Sequence, residues 1–268
     1  MPNLTYFFLT LHFNKYMEPY VKTETHNGIT SIEFFHPQSN SLPKKILKEL
    51  ASAIIRAGED PNTIVIILRS AGETVFCAGA SFDELVAIQN NEEGLKFFSG
   101  FAHVINAMRT CPKFIIGRIQ GKCVGGGVGL AAALDYAIAT EKAQVKLSEL
   151  AVGIGPFVVG PAVERKIGKS AFSQLAINAT LWSTADWARR KGLYAEVYPD
   201  ITGMDEAIYR LANILMHSSP EAMAEMKKIF WKGTEHWDKL LIERAAISGR
   251  LVLSSFTRDA IAKFKLKK

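Results

Sequence analysis

A chain of 268 residues is long enough to bury one substantial core, and 48% hydrophobic with 22% charged residues is a globular composition, neither disordered nor fibrous. The net charge of +6 suits an anionic ligand, nucleic acid included, without demanding one. No uninterrupted apolar run reaches the roughly 18 residues of a spanning helix, and three cysteines (Cys77, Cys111, Cys123) without metal spacing exclude a disulfide scaffold or a zinc site. Thiol usage of this kind is that of a reducing compartment, so a cytoplasmic protein with no membrane partner is expected.

Residues 1–16 are apolar and aromatic but lack the cationic start and cleavage site of a secretory signal, so we expect a non-native or disordered extension with Met17 as the initiator. Two alternating runs, 21–25 and 29–34, flank Asn27-Gly28 and predict a hairpin. After a loop over 37–43, Ile46, Leu47, Leu50 and Ile54 give residues 44–56 helical spacing. A buried strand over 63–68, a helix over 95–108 and a strand over 113–119 follow, and this alternation indicates a parallel sheet with crossover helices. The lone His103 on the second helix reads as a core or cap residue. Residues 183–192 read as a capped helix with a serine at its start. Past 199–203 the chain becomes nearly all helical, over 204–217, 220–231, 235–253 and 257–264, and 263–268 is a solvated basic tail. The expected division is therefore an extension over 1–16, a core over 17–199 and a helical region over 200–268.

Two stretches stand out, each where a strand turns into a helix. One is Phe76-Cys77-Ala78-Gly79-Ala80-x-Phe82; the other is Gly121-x-x-Val124-Gly125-Gly126-Gly127-x-Gly129-Leu130. A strand turning through glycines into a helix leaves unpaired N–H groups with the helix dipole aimed the same way, which favours negative charge, fixed or transient. The glycines alone fit a tight turn between buried elements equally well, and they match neither familiar phosphate-binding pattern. A third segment, Leu147-Ser148-Glu149-Leu150-x-x-Gly153-Ile154-Gly155-Pro156, follows in order. Together the three resemble the crotonase, or enoyl-CoA hydratase/isomerase, superfamily over roughly residues 23–197.

That resemblance implies an α/β fold, a crotonase-like ββα spiral core followed by a C-terminal helical trimerisation region, assembled as a homotrimer or hexamer. It implies an acyl-CoA substrate, with coenzyme A arriving as part of that substrate, no separate cofactor and no metal. The amides of Ala80 and Gly126 fall where the family stabilises a thioester enolate, and such donors contribute roughly 2.7–4 kcal/mol each. Ala78, Gly79, Gly125, Gly127 and Asn40 fall where coenzyme A is contacted, though Asn40 is equally a structural turn residue. Cys77 and Cys123 read as small packing residues.

Glu149 occupies the family's position for a catalytic glutamate, and its apolar neighbours Val145, Leu147 and Leu150 should raise its pKa toward neutrality. The alternative is a glutamate capping a loop. The hydratases of the family carry a second glutamate one turn into the helix, where this chain has Gly129. One base suffices to move a proton from the α to the γ carbon, so the resemblance points to a Δ3,Δ2-enoyl-CoA isomerase. An enoyl-CoA or methylglutaconyl-CoA hydratase is the alternative, and a non-catalytic acyl-CoA- or RNA-binding protein the reading from another class. The absence of interleaved aromatic and basic residues on a strand argues against nucleic acid. Asp83 and Glu84 are read as solvent-facing or helix-capping acids. The resemblance weakens near 257–259, leaving contacts from Phe256 or Lys263 to the nucleotide in doubt.

Overall fold

The computed structural model describes residues 18–265; the extension expected over 1–16 and the end of the basic tail lie outside them. The hairpin forms as β1 (Tyr20–His26) and β2 (Ile29–Phe35), antiparallel with Tyr20 opposite Phe35. Asn27 and Gly28 both take positive φ, 48° and 82°, as a two-residue turn matched to strand twist requires.

From β2 onward the described strands pair in parallel. The chain runs α1 (Lys44–Glu59), β3 (Val65–Ser70), β4 (Val75–Cys77), α2 (Phe82–Val86), α3 (Asn91–Thr110), β5 (Phe114–Ile119), β6 (Lys122–Val124) and α4 (Gly126–Ala133). It continues through β7 (Tyr136–Thr140), β8 (Val145–Lys146), a 3-10 turn (Glu149–Val152), α5 (Gly160–Ile177), α6 (Ala185–Arg190) and β9 (Glu196–Tyr198). Four helices close it: α7 (Ile201–Met216), α8 (Pro220–Phe230), α9 (Trp237–Leu251) and α10 (Ser255–Lys265). One sheet has the order β1-β2-β3-β5-β7-β9 and the other β4-β6-β8. The first turn gives both β1 and β2 to the large sheet before α1, and from β3 to β8 each turn gives a strand to the large sheet, a strand to the small one, and then a helix or a helical turn. This is the expected ββα spiral.

The central strands of the large sheet are apolar on both faces because both are covered. Ile66 and Leu68 of β3 face the main core with Ile115, Leu50 and Ile105, while Val65 and Ile67 face Met204, Ala207, Ile208 and Ala212 of α7. A bidentate ion pair from Arg118 of β5 to Asp205, at 2.6 and 3.0 Å, ties α7 to the sheet.

Element boundaries shift where local hydrogen bonds decide. Residues 63 and 64 precede β3: the Ile64 and Val65 N–H groups share Gly28 O as acceptor, at 2.8 and 3.2 Å, so the regular ladder starts only at Val65. Helix α6 is capped by Thr184, which accepts the Trp187 N–H at 3.1 Å. Ser183 is held instead by two backbone bonds to Val145. Helix α7 starts at Ile201, earlier than expected, because the Asp200 carboxylate accepts the Gly203 N–H at 2.9 Å.

Candidate active site

The order β4-β6-β8 decides where the three motifs meet. Because these strands are adjacent and parallel, their C-terminal ends emerge side by side, and each ends in one motif. The strand-to-helix turns at residues 78–81, 125–127 and 147–149 therefore converge, in the way α/β sheets generally collect a site at strand ends.

Gly79 (φ 88°) brings the first turn against the second: a Cβ built on it would lie 3.0 Å from the Val124 carbonyl oxygen and 3.4 Å from the Gly126 nitrogen. Leu42 lies beside Ala80 as an isolated parallel bridge. Its N–H donates to Gly79 O at 2.7 Å and its C=O accepts from Ser81 N–H at 3.2 Å. Ladder bonds on one side of the segment are thus made by Gly79 and Ser81, and the intervening Ala80 N–H is directed away. Among the described residues, neither that N–H nor the Gly126 N–H, which opens α4, donates to a protein acceptor. The Cys77 sulfur accepts the Gly79 N–H at 3.4 Å and steadies the turn.

Gly125 caps α4 with φ 52° and ψ −114°, a backbone conformation that side chains disfavour. Its missing Cβ also makes room: an atom there would sit 3.2 Å from Glu149 Oε1 and 3.5 Å from the carboxyl carbon. The Glu149 carboxyl thus lies against the residue preceding Gly126. Although Glu149 as a whole is half-buried, its Oε2 is sealed from solvent and has no hydrogen-bond partner. Burial pushes the carboxyl from 4.5 up to about 7, against a smaller lowering by its own backbone N–H. Such a group can hold or release a proton near neutral pH.

The remaining residues expected at the site divide into two sets. Ala78 is half-buried and its N–H donates to Ser39 O at 3.2 Å. Gly127 is buried where a Cβ would meet Cys77 O at 2.4 Å, so it serves close packing of α4 on β4. Asn40, expected as either a coenzyme contact or a turn residue, has the bonding of a turn residue. It is 4% exposed with φ 53°, its Nδ2 donates to Ala71 O (2.8 Å) and Val75 O (3.0 Å), and its Oδ1 accepts the His36 N–H (3.0 Å). Asp83 accepts from Gln38 Nε2 and Glu84 accepts the Lys44 N–H, so both acids are engaged at the surface. Cys77 and Cys123 are fully buried, and burial pushes the Cys77 thiol up to about 12, which keeps it neutral and inert as a nucleophile. His103 is exposed on α3.

An apolar wall beside Ala80 completes the arrangement. Ile88, Phe97, Ile154 and Val252 form a satellite cluster with Leu85, Phe98 and Val152, separate from the main core. Phe101, one turn beyond Phe97, lays its ring where a Cβ of Gly126 would be, 2.2 Å from the nearest ring atom. Sequence reading did not single out Phe101, although its spacing from Phe97 was a signal. Helix α10 lies on the 3-10 turn, with Thr257 Oγ1 at 2.5 Å and Phe256 Cδ1 at 2.6 Å from a Cβ built on Gly153. Among the described residues no cluster of three or more potential metal ligands occurs, and no helix is long and apolar enough to cross a membrane. Two unpaired amides and a carboxyl with one sealed, unpartnered oxygen can stabilise an oxyanion and move a proton beside it.

Residues 24–263 match the family described as Enoyl-CoA hydratase/isomerase. Mouse mitochondrial methylglutaconyl-CoA hydratase is 32% identical over 200 residues, 73% of this chain and 63% of that protein, so the match spans under two thirds of the curated relative. Carnitinyl-CoA dehydratase of Escherichia coli is 28% identical over 260 residues, covering 89% of this chain and 97% of its own length. The crystal structure of an enoyl-CoA hydratase from Bacillus halodurans superposes with a TM-score of 0.84 at 23% identity, over 91% of this chain and 99% of that one.

Proposed function

Because the chain belongs to the enoyl-CoA hydratase/isomerase family over residues 24–263, we propose that it shifts the double bond of a 3-enoyl-CoA to the 2 position with Glu149 as its single proton carrier. Coenzyme A enters as part of the substrate. The thioester oxygen accepts from the Ala80 and Gly126 amides, which are otherwise unpartnered. Glu149 takes a proton from C2, the electron pair delocalises onto the thioester oxygen and across the double bond, and the same carboxyl returns the proton to C4. No atom is gained or lost and no water is consumed. The fold holds the reacting groups in place before substrate arrives, so little reorganisation accompanies charge development.

The observation that carries this reading is the Glu149 carboxyl, its Oε2 sealed from solvent without a partner and its pKa raised to about 7 by burial, lying against Gly125, the residue before the Gly126 amide. A base of that strength is matched to neutral pH. Position 129 supplies no second carboxylate, and Asp83 and Glu84 are held elsewhere. Hydration of a 2-enoyl-CoA is the second reading, favoured by the name of the mouse relative.

Absorbance of the conjugated enoyl thioester separates the two. A rise with a 3-enoyl-CoA and little change with a 2-enoyl-CoA is the expected result. Loss of absorbance with the 2-enoyl-CoA and none gained with the 3-enoyl-CoA would replace the isomerase reading by the hydratase one.

A further inference from the structure

Gly129 lies inside α4, one turn beyond Gly126, and the space its side chain would enter is already full. A Cβ built there would sit 2.4 Å from Val159 Cγ1 and 2.6 Å from Val159 Cβ. Val159 is 4% exposed, belongs to the main core and is the residue from which α5 starts. It is β-branched and stiff, and the contact reaches its Cβ, so no rotation of the side chain clears the space. Even a methyl group at 129 requires α5 to move against α4.

We infer that Val159 is a specificity-determining residue: it fills the space into which a carboxylate at position 129 would project, and so denies the site a second group able to hold and deprotonate water. The inference rests on Glu149 acting as sole proton carrier. Hydration of a 2-enoyl thioester makes a C–O bond at C3 and a C–H bond at C2, and the attacking water must surrender a proton. The double-bond shift moves one proton from C2 to C4 and needs no such acceptor. An isopropyl group packed against Gly129 therefore selects the second reaction, and Gly129 and Val159 act as a pair: changing Gly129 alone meets the valine, and changing Val159 alone supplies no acid.

Two measurements test this separately from the isomerase reading. The first is a melting-temperature cycle. Gly129→Ala should lower Tm by roughly 4 °C or more through overpacking, and adding Val159→Gly should recover part of that loss, although Val159→Gly alone also lowers Tm. Losses that simply add would overturn the packing claim whatever the enzyme catalyses. The second is the ratio of hydration to double-bond shift. Gly129→Glu with Val159→Gly should raise that ratio about 100-fold or more over wild type, on the scale of positioned acid–base catalysis, whereas Gly129→Gln with Val159→Gly should not. A merely structural role would lower both activities together. A folded Gly129→Glu, Val159→Gly variant without hydration, or a Gly129→Glu variant that hydrates with Val159 in place, would overturn the specificity role. A wild-type chain that does not act on 3-enoyl-CoA would fail the isomerase reading and leave the melting cycle standing.

Discussion

Glu149→Gln perturbs the proton carrier and the electrostatics behind it at once. Burial lifts the carboxyl from 4.5 to about 7, so between those values the folded chain holds a proton that the unfolded chain has released. Fewer protons on the unfolded state mean that stability falls as pH rises through this window, by about 1.4 kcal/mol per pH unit and about 3 kcal/mol in all. Below the window both states are protonated and the penalty vanishes; above it the penalty is complete. Glutamine does not ionise, so the variant lacks this slope. Urea unfolding at fixed protein concentration, from about pH 4.5 to about pH 8.5, should show the stability of the variant relative to wild type growing by about 3 kcal/mol toward the alkaline end. Activity should move oppositely. In the wild type kcat/KM rises up to about pH 7 and then levels, because only the carboxylate accepts a proton, and the variant loses about 100- to 10,000-fold on the plateau. A stability difference independent of pH, an acid limb near 4.5, or a glutamine variant of full activity would refute the reasoning.

Two further substitutions probe the scaffold. Asn40→Ala removes three bonds to backbone groups; Val75 O keeps Gln120 Nε2 as a donor at 3.2 Å, but the buried bond to Ala71 O and the bond from the His36 N–H are lost, at about 1–3 kcal/mol for each group left unpaired, at a left-handed φ of 53° that alanine adopts poorly. Its denaturation midpoint should fall sharply, while KM of the folded fraction changes less than about tenfold; unchanged stability with a larger rise in KM would instead make Asn40 a substrate contact. Lys227→Met removes a cation that is 2% exposed, lies 2.8 Å from Asp135 Oδ2 and donates to Lys113 O at 2.7 Å. Stranding the buried Asp135 should cost about 3–5 kcal/mol in a denaturant titration, and pairing the change with Asp135→Asn should return part of it. A loss below about 1 kcal/mol would mean that Trp231 and the Ile115 N–H satisfy the carboxylate alone.

The local devices of this fold were legible because single residues carry them. Asn27-Gly28 takes the positive φ values that its turn needs, and the apolar strands 65–68 and 114–116 sit between covered faces. The small sheet was not legible, since its strands are two or three residues long and show no periodicity; tertiary pairing alone defines them. The same holds for the Lys227–Asp135 pair, whose partners come from α8 and from the turn between α4 and β7. Residues 199–203 read as a boundary because glycine and proline punctuate them, yet Asp200 caps a helix there that covers the large sheet.

Glu149 shows most clearly how a correct expectation can rest on an incomplete cause. Its raised proton affinity was anticipated from the apolar residues of its own segment, and Val145 and Leu147 are indeed buried. Leu150, counted among them, is 49% exposed and shields little. What the neighbouring residues do not reveal is that the carboxyl lies against Gly125, from the adjacent turn of the spiral. A glycine there is therefore doubly constrained: by a backbone angle it alone adopts comfortably, and by the space the carboxyl occupies. The pairing of strands β6 and β8 brings these residues together, so the acid's proton affinity is a property of the sheet order as much as of the segment that carries it.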